Sequence, residues 1–513
     1  MKYAQPNDPG VAVGVYKAGQ VMFSKGYGLA NLEHGIPFTK NTVFDIASNS
    51  KQFTAFAILL LEQQGKLSLN DPIHQYIGEF PRYDTPIKIE HLIHNTSGIR
   101  DYGDLLELSN RGTDYRTSRS DFMQIMKRQK SLNFNPGESY AYSNSNWILL
   151  AMIIEKIEGI PFNQFMEKEI FGPLGMKNTV VRDNANMVIP NSASFYKSTK
   201  NGKYELNYSW GRAYNLGGMA FINTTIEDLA KWDANFFTGK LGGLPLINRM
   251  HEKGVLNSGD SISYSCGLKI GQYKDHKVVL HGGLGGGSSQ ITRFPDEELT
   301  VIIFSNRKYS ELDTFDLMFE LADLFVENNN TWKRSEFPKG LIDTETTLDL
   351  FTGIFWHDKD LRLTSFVIEN GQLAEAWLEE ERYPLQRIGA AIFQDYYEYI
   401  KFSSDGLSAK GIHKPSGETY TLTRINKWNP SSKTLERYSG NYKSEELGII
   451  WSISSNNQKL IVKRVGKPDF ELEPVFENSF KYKNWLVTFG NQDEPLNMCI
   501  TTDRCKNILF TRN

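Results

Sequence analysis

Hydrophobic and polar positions alternate from the start of the chain. Gly10-Val11-Ala12-Val13-Gly14-Val15-Tyr16 predicts a strand, Lys17-Ala18-Gly19-Gln20 a turn, and Val21 to Gly28 the returning strand of a hairpin. From Phe53 to Leu61 the residues are apolar on every side. That pattern predicts a fully buried helix from Ser48 to about Gln64, with Gly65 as its end cap. A second helix is expected from about Ser145 to Glu158, closed by Gly159, and amphipathic helices over 225–236 and 310–327. Between the last two lie strand-like runs at Lys277–Gly282, Ser289–Phe294 and Leu299–Phe304. Their short connections, including Pro295-Asp296-Glu297-Glu298, predict an antiparallel meander rather than a doubly wound sheet.

After about residue 335 the helical period disappears and short alternating strands take over. Phe351-Thr-Gly353-Ile-Phe355 returns as Tyr438-Ser-Gly440-Asn-Tyr442, with the glycines 87 positions apart. The same offset relates Asn370 to Asn457, Leu373 to Leu460, Leu385 to Leu472, Phe393 to Phe480 and Phe402 to Phe489. After one inserted residue, Leu422-Thr423-Arg424 matches Phe510-Thr511-Arg512. Two copies are too few for a solenoid, so each must close its own edges, which predicts two small antiparallel β-barrels. The expected domains are 1–333, 334–426 and 427–513. Barrels of this kind are expected to pack, restrict access or dimerise rather than to carry chemistry.

Composition narrows the function. The 513 residues are 40% apolar and 23% charged, as in an ordinary globular protein. A net charge of −3 leaves no basic field for a phosphate backbone, so nucleic acid is not an expected partner. The longest apolar run, Phe53–Leu61, falls far short of the ~20 residues that span a bilayer. Three cysteines (Cys266, Cys499, Cys505) exclude a disulfide scaffold and a Cys-rich zinc site. His91 and His94 lack a completing ligand, so no metal and no cofactor is expected. Met1 to Pro6 has no apolar core of signal-peptide type, and structure begins almost at once. Either the chain starts on an edge strand or an upstream segment has been removed; a processed, extracytoplasmic protein is favoured over a cytoplasmic one.

The candidate chemistry centres on Ser48-Asn-Ser-Lys51. The same tetrad recurs at Ser194–Lys197 and Ser305–Lys308, yet only Ser48 stands at the mouth of a buried helix. Residues i and i+3 share a helix face, so Lys51 can reach the Ser48 hydroxyl, and the helix amino terminus favours negative charge there. A desolvated lysine can then serve as base. Tyr142-Ser143-Asn144 precedes the second helix. If that stretch is extended, Tyr142 and Asn144 enter one cleft; a second Tyr-x-Asn stands at Tyr482–Asn484. His281-Gly282-Gly283 ends a strand, its glycines leave room for a substrate backbone, and the amide of Leu284 is a candidate oxyanion donor.

Taken together, these pieces resemble the penicillin-binding-protein-like serine hydrolases, which include class C β-lactamases, D-aminopeptidases, D-Ala-D-Ala carboxypeptidases and related esterases. The matching stretches are Phe44-Asp-Ile-Ala-Ser48-Asn-Ser-Lys51-Gln-Phe-Thr, His91-Leu-Ile-His-Asn-Thr-Ser97-Gly98-Ile, Pro136-Gly137 and Tyr142-Ser-Asn144. Phe171-Gly-Pro-Leu-Gly175-Met176, Gly217-Gly218-Met219 and His281-Gly-Gly283 follow in the family's order, over about residues 9–330. The resemblance implies an α+β fold, an antiparallel sheet flanked by helices with an all-helical subdomain. The two barrels after it look like the D-aminopeptidase branch.

The resemblance also implies an acyl-enzyme on Ser48. Lys51 and Tyr142 would shuttle its proton, Asn144 would orient the substrate amide, His281 and Gly283 would line the substrate strand, and the Ser48 and Leu284 amides would form the oxyanion hole. Many β-lactamases and transpeptidases carry Lys-Thr-Gly where this chain has His281-Gly-Gly. A histidine near neutral pH is mostly uncharged, so poor β-lactam turnover is expected. The family usually opens with a helix before the first strand, and here none precedes it. The expected partner is a small peptide, amide or ester substrate, cleaved by a metal-free monomer or homodimer. The alternative is a non-catalytic penicillin-binding or wall-peptide sensor of the same fold. Loops such as 99–131 and 196–216 are left to set the pocket.

Overall fold

A computed structural model describes residues 4–111, 117–199, 201–207, 216–274, 276–308, 314–326, 347–358, 362–378, 381–394, 398–413, 419–426, 428–456, 459–490 and 497–513. The chain divides into two compact units. One holds residues 1–102, 113–127 and 134–331, and the other 103–112, 128–133 and 332–513.

The first unit is built on a six-stranded antiparallel sheet. Its strands are β1 (Val11–Lys17), β2 (Gln20–Tyr27), β3 (Lys269–Tyr273), β4 (His276–Leu284), β5 (Ser288–Phe294) and β6 (Leu299–Ser305), in the order β3-β4-β5-β6-β1-β2. The expected hairpin and meander are both present, and β1 pairs with β6 to join the two ends of the unit, Val11 opposite Ser305. Both β5 and β6 are buried along their whole length. β6 reads as a near-continuous apolar run for that reason, whereas β5 buries the polar side chains of Ser288, Ser289, Gln290, Thr292 and Arg293.

Helices cover the sheet and build a separate helical region. The expected buried helix is α1 (Lys51–Gln63), buried from Lys51 to Leu61, with the turn Ala47–Ser50 ahead of it as a tighter 3₁₀ turn. The second is α2 (Asn144–Glu158), ending at Gly159 as expected. The third, α3 (Ile226–Thr238), starts on Thr225, whose side chain accepts the Asp228 amide. The fourth is α4 (Thr314–Ala322) within the expected 310–327, of which residues 310–313 and 327 lie outside the described residues. Between α1 and α3 the shorter helices Ile89–Ile93, Arg119–Met126 and Phe162–Met166 complete an α+β fold of the expected kind.

A polar network is buried between α1, α3 and β5. The Arg293 guanidinium donates to Asp233 at 2.9 Å and to the Gln52 carbonyl at 3.2 Å, while the Trp232 indole donates to the same Gln52 oxygen at 2.9 Å. Thr300 adds a bond to Asp233 at 2.8 Å. Around this network Phe53 stacks on Trp232 with ring centroids 4.1 Å apart. The residue after Lys51 is therefore locked from below by charged and aromatic groups.

The second unit contains the repeat. Strands beginning at Gly353, Arg362, Gln372, Ile392 and Glu398 have counterparts beginning at Gly440, Ile449, Lys459, Ser479 and Trp485, each 87 residues later. Phe355 lies opposite Arg424 as Tyr442 lies opposite Arg512. Of the matched residues, Leu373, Leu385, Phe393 and Phe402 are buried in the first copy, and Leu460, Leu472, Phe480 and Phe489 in the second. Asn457 lies outside the described residues.

The second copy is a closed eight-stranded barrel, and the first a nine-stranded sheet, nearly closed. In the second, one strand, Lys467–Phe476, pairs on both sides. Its equivalent in the first is broken into Glu381–Pro384 and Gln386–Arg387, the two edges of that sheet. Pro384, which has no N–H to donate, ends the first piece. Segments 103–112 and 128–133 also belong to this unit: Asn133 donates to the Arg504 carbonyl at 2.9 Å and accepts the Lys506 amide at 2.8 Å. All three cysteines are free thiols. Among the described residues no helix is long and apolar enough to cross a membrane.

Candidate active site

The Ser48 turn is made by local chemistry. The two-residue strand Phe44–Asp45 pairs with Asn223–Thr224, and the Asp45 carboxylate accepts the Ala47 amide at 2.9 Å. That bond folds the chain sharply and holds Ala47 at φ +47°, a left-handed conformation that costs a non-glycine residue about 1–3 kcal/mol. Ser48 follows at once and stands at the amino end of α1. Beneath it Asn49 donates to the Ser289 hydroxyl at 2.8 Å, and Ser289 donates to the Ile46 carbonyl at 2.8 Å, which ties β5 to the turn.

Lys51 is 0% exposed, and its Nζ lies 2.9 Å from Ser48 Oγ. It also donates to the Met219 carbonyl at 2.6 Å. Gly218 makes that contact possible. It adopts φ +102°, and a Cβ there would come within 2.2 Å of the Trp147 carbonyl on α2. With no side chain, the Gly217-Gly218-Met219 segment slides against α2, Thr54 bonds the Gly218 carbonyl at 2.8 Å, and the next carbonyl meets the lysine.

Tyr142 approaches the same lysine from the other side, its ring centroid 5.0 Å from Lys51 Nζ. Ser143 is extended and buried, with Tyr142 and Asn144 half-buried on either side of it. Asn144 opens α2, and its amide donates to Asp101 at 2.6 Å. Two groups unassigned from the sequence adjoin this stretch: Asn95 bonds the amides of Ala141 and Ser143, and the buried Tyr264 sits edge-on to Tyr142 at 6.1 Å.

His281 lies on β4 with its ring 6.1 Å from that of Tyr142. β3 stops at Lys269, opposite Leu280, so among the described residues no strand flanks His281–Leu284 on that side. His281 Nδ1 is 2.6 Å from the Gly282 carbonyl, which can only accept, so Nδ1 carries the proton. Nε2 then bears the lone pair, toward the Tyr264 hydroxyl at 3.4 Å. His281 is 4% exposed, and burial, with Lys51 and Lys269 nearby, pushes its pKa down to about 3. The imidazole is neutral at pH 7. Gly283 is required for packing: a Cβ there would lie 2.2 Å from the Ile46 carbonyl, so β4 rests directly on the Ser48 turn. Leu284, 55% exposed, ends the strand.

Ser48 and Tyr142 are thus gathered around the side-chain nitrogen of Lys51, with His281 and Gly283 beside them. Among the described residues no hydrogen bond joins the Asn144 side chain or Leu284 to Ser48. The Met219 carbonyl, Asn95 and Tyr264 were not assigned roles from the sequence; the Gly217-Gly218 pair was the one visible sign of the first. His91 Nδ1 accepts the Lys88 amide at 3.1 Å, a structural role. Among the described residues no cluster of three or more His, Cys, Asp or Glu is arranged to hold a metal.

The serine–lysine pair at a helix mouth, with a tyrosine beside it and an antiparallel sheet adjoining it, lies within a β-lactamase-like fold. Residues 2–323 match the beta-lactamase family, and the chain belongs to it. Among its relatives is a D-aminopeptidase of Gluconobacter oxydans (strain 621H), 28% identical over 302 residues that cover 58% of this chain and 56% of that protein. Penicillin-binding protein 4* of Bacillus subtilis (strain 168) is 26% identical over 390 residues, 73% of this chain and 82% of the relative. The match therefore spans little more than half of the D-aminopeptidase. In fold the chain is similar to the octameric penicillin-binding protein homologue from Pyrococcus abyssi, with TM-score 0.57 and 22% identity over 81% of this chain and 96% of that one.

Proposed function

We propose that this chain cleaves an amide, peptide or ester bond through an acyl-enzyme on Ser48, in the manner of a D-aminopeptidase, D-Ala carboxypeptidase or esterase, with poor β-lactamase activity. The observation that carries the reading is the 2.9 Å approach of the buried Lys51 Nζ to the half-buried Ser48 Oγ. Ser48 Oγ attacks the carbonyl carbon as its proton passes to Lys51. The C–O bond forms, the C–N or C–O bond to the leaving group breaks, and the proton goes to that leaving group by way of Tyr142. Water repeats the sequence on the ester and frees Ser48. The backbone amides of Ser48 and Leu284 are proposed as donors to the oxyanion, and the Asn144 carboxamide as the group that orients the substrate amide.

His281 shapes the substrate preference. A neutral imidazole at the strand offers no permanent charge for a carboxylate, which favours substrates uncharged at that end over penicillins and cephalosporins. The relatives named D-aminopeptidase support an aminoacyl amide as substrate. The test is turnover of D-alanine p-nitroanilide, p-nitrophenyl acetate and nitrocefin by the wild type and Ser48→Ala. Hydrolysis of one of the first two that vanishes in Ser48→Ala, with little turnover of nitrocefin, is the expected result. Stoichiometric acylation without turnover of any of the three contradicts it and leaves a sensor of the same fold.

A further inference from the structure

We propose that Asn95 is a positioning residue for Tyr142, and that its carboxamide oxygen does the positioning. This inference rests on the acyl-enzyme reading above and assigns a role to a residue that touches neither Ser48 nor Lys51. Asn95 follows the short helix Ile89–Ile93, is 0% exposed, and adopts φ +57°. Its two oxygens grip the segment that carries the tyrosine. The backbone carbonyl accepts the Ala141 amide at 3.0 Å, and Oδ1 accepts the Ser143 amide at 3.3 Å. The amides of the two residues on either side of Tyr142 are therefore both pinned to one residue.

The same Oδ1 accepts from Asn146 Nδ2 at 2.9 Å, and Asn146 is held in turn by the Ser97 hydroxyl at 2.7 Å. One oxygen thus locks the junction between the extended stretch and the first turn of α2. Tyr142 and Asn144 both project from that junction, so a rotation there moves the phenol relative to Lys51.

Asn95 carries a left-handed backbone, which suits glycine better. Its side-chain Nδ2 faces the Tyr264 hydroxyl, which in turn approaches His281 Nε2. Glycine would relieve the backbone cost but would lose Oδ1. A backbone cost kept at one residue beside the reacting groups accords with a positioning role.

The titratable groups facing Tyr142 are Lys51, Tyr264 and His281, with Asp101 at the Asn144 amide. Asn95→Gly keeps the backbone conformation and the Ala141 bond but deletes Oδ1. Asn95→Asp keeps Oδ1 and adds a negative charge near the phenol, which disfavours its ionised form. On D-alanine p-nitroanilide or p-nitrophenyl acetate, whichever the wild type turns over, kcat of Asn95→Gly should fall about 10²-fold with KM within about threefold. The urea midpoint is measured in parallel to establish that the variants are folded. Asn95→Asp should recover kcat to within about tenfold of wild type, and the alkaline limb of its kcat/KM profile should move to higher pH.

Asn95→Gly within about threefold of wild type, or Asn95→Asp as slow as Asn95→Gly with an unmoved alkaline limb, overturns the proposal. If Asn95→Gly does not fold, the alkaline limb of Asn95→Asp decides alone: moved upward it supports the proposal, unmoved it overturns it. Ser48→Ala is the control. If it retains turnover, the acyl-enzyme reading itself falls; if it is inactive while Asn95→Gly is unimpaired, only the present inference falls.

Discussion

The chain carries a Ser-x-x-Lys tetrad at Ser48–Lys51 and again at Ser194–Lys197, and the two sit in opposite surroundings. Lys51 is buried, bonded to Ser48 Oγ and to the Met219 carbonyl, with the Tyr142 ring beside it. Lys197 lies on the short strand Tyr196–Ser198, is 43% exposed, and forms an ion pair with Glu205 at 2.8 Å. Ser194 Oγ accepts from Asn31 rather than from a lysine. Residue type and spacing are the same at both places, so neither produces the chemistry by itself. A strained turn at a helix mouth, a glycine that lets a carbonyl approach, and exclusion of water make the difference.

The sharpest way to break this comparison is to remove each lysine in turn. Lys51→Ala should lower kcat/KM by about 10²–10⁴-fold, the span of a positioned general base. Lys197→Ala should leave kcat/KM and stability where they are, because an exposed ion pair contributes about 0–1 kcal/mol. Equal losses in the two variants, by steady-state kinetics on the same substrate, would erase the distinction.

Stability separates the two tetrads next. Gln52 anchors the first to the buried Arg293–Asp233 pair, whereas the second rests on a surface pair. Asp233→Ala leaves the guanidinium buried without its counter-charge and should cost about 3–5 kcal/mol in urea unfolding. Glu205→Ala should cost less than about 1 kcal/mol. An Asp233→Ala loss under 1 kcal/mol would mean that the floor beneath Ser48 is not the rigid support described.

Much of this was legible in advance, and the reasons differ by element. Helix α1 could be read because its residues are apolar all round, and the barrel repeat because the offset of 87 matches aromatic and leucine positions that the strands bury in register. The closure of the first copy was not legible to the residue: its strand is interrupted at Leu385, whereas the counterpart Lys467–Phe476 runs whole with Pro468 and Pro474 in it. In the site, Ser48, Lys51, Tyr142 and His281 could be singled out by type and spacing. The Met219 carbonyl could not, since a backbone oxygen has no sequence signature beyond the glycine before it. Nor could Asn95, whose role depends on a left-handed backbone and on partners about fifty residues away. The state of His281 was half legible: near-neutral from its ordinary pKa, and held firmly neutral by burial that only the fold supplies.

Acidification tests the buried imidazole rather than either lysine. His281 is held near pKa 3 in the folded chain, against about 6.5 when unfolded. Between those values the unfolded state binds the extra proton. Stability from the neutral imidazole is therefore complete above about pH 6.5 and is lost as pH falls toward 3. The unfolding midpoint should drop from pH 6.5 to pH 4, with a shallower slope in His281→Gln. Identical slopes in the two proteins would show that His281 carries no charge cost.

The most direct test of the central claim is the rate at which a fluorophosphonate probe modifies the protein, with the adduct located by peptide mass spectrometry. A single adduct on Ser48, formed at least about 100-fold more slowly in Lys51→Ala and unchanged in rate in Lys197→Ala, is the predicted result. An adduct on another serine, or equal rates with and without Lys51, would contradict it.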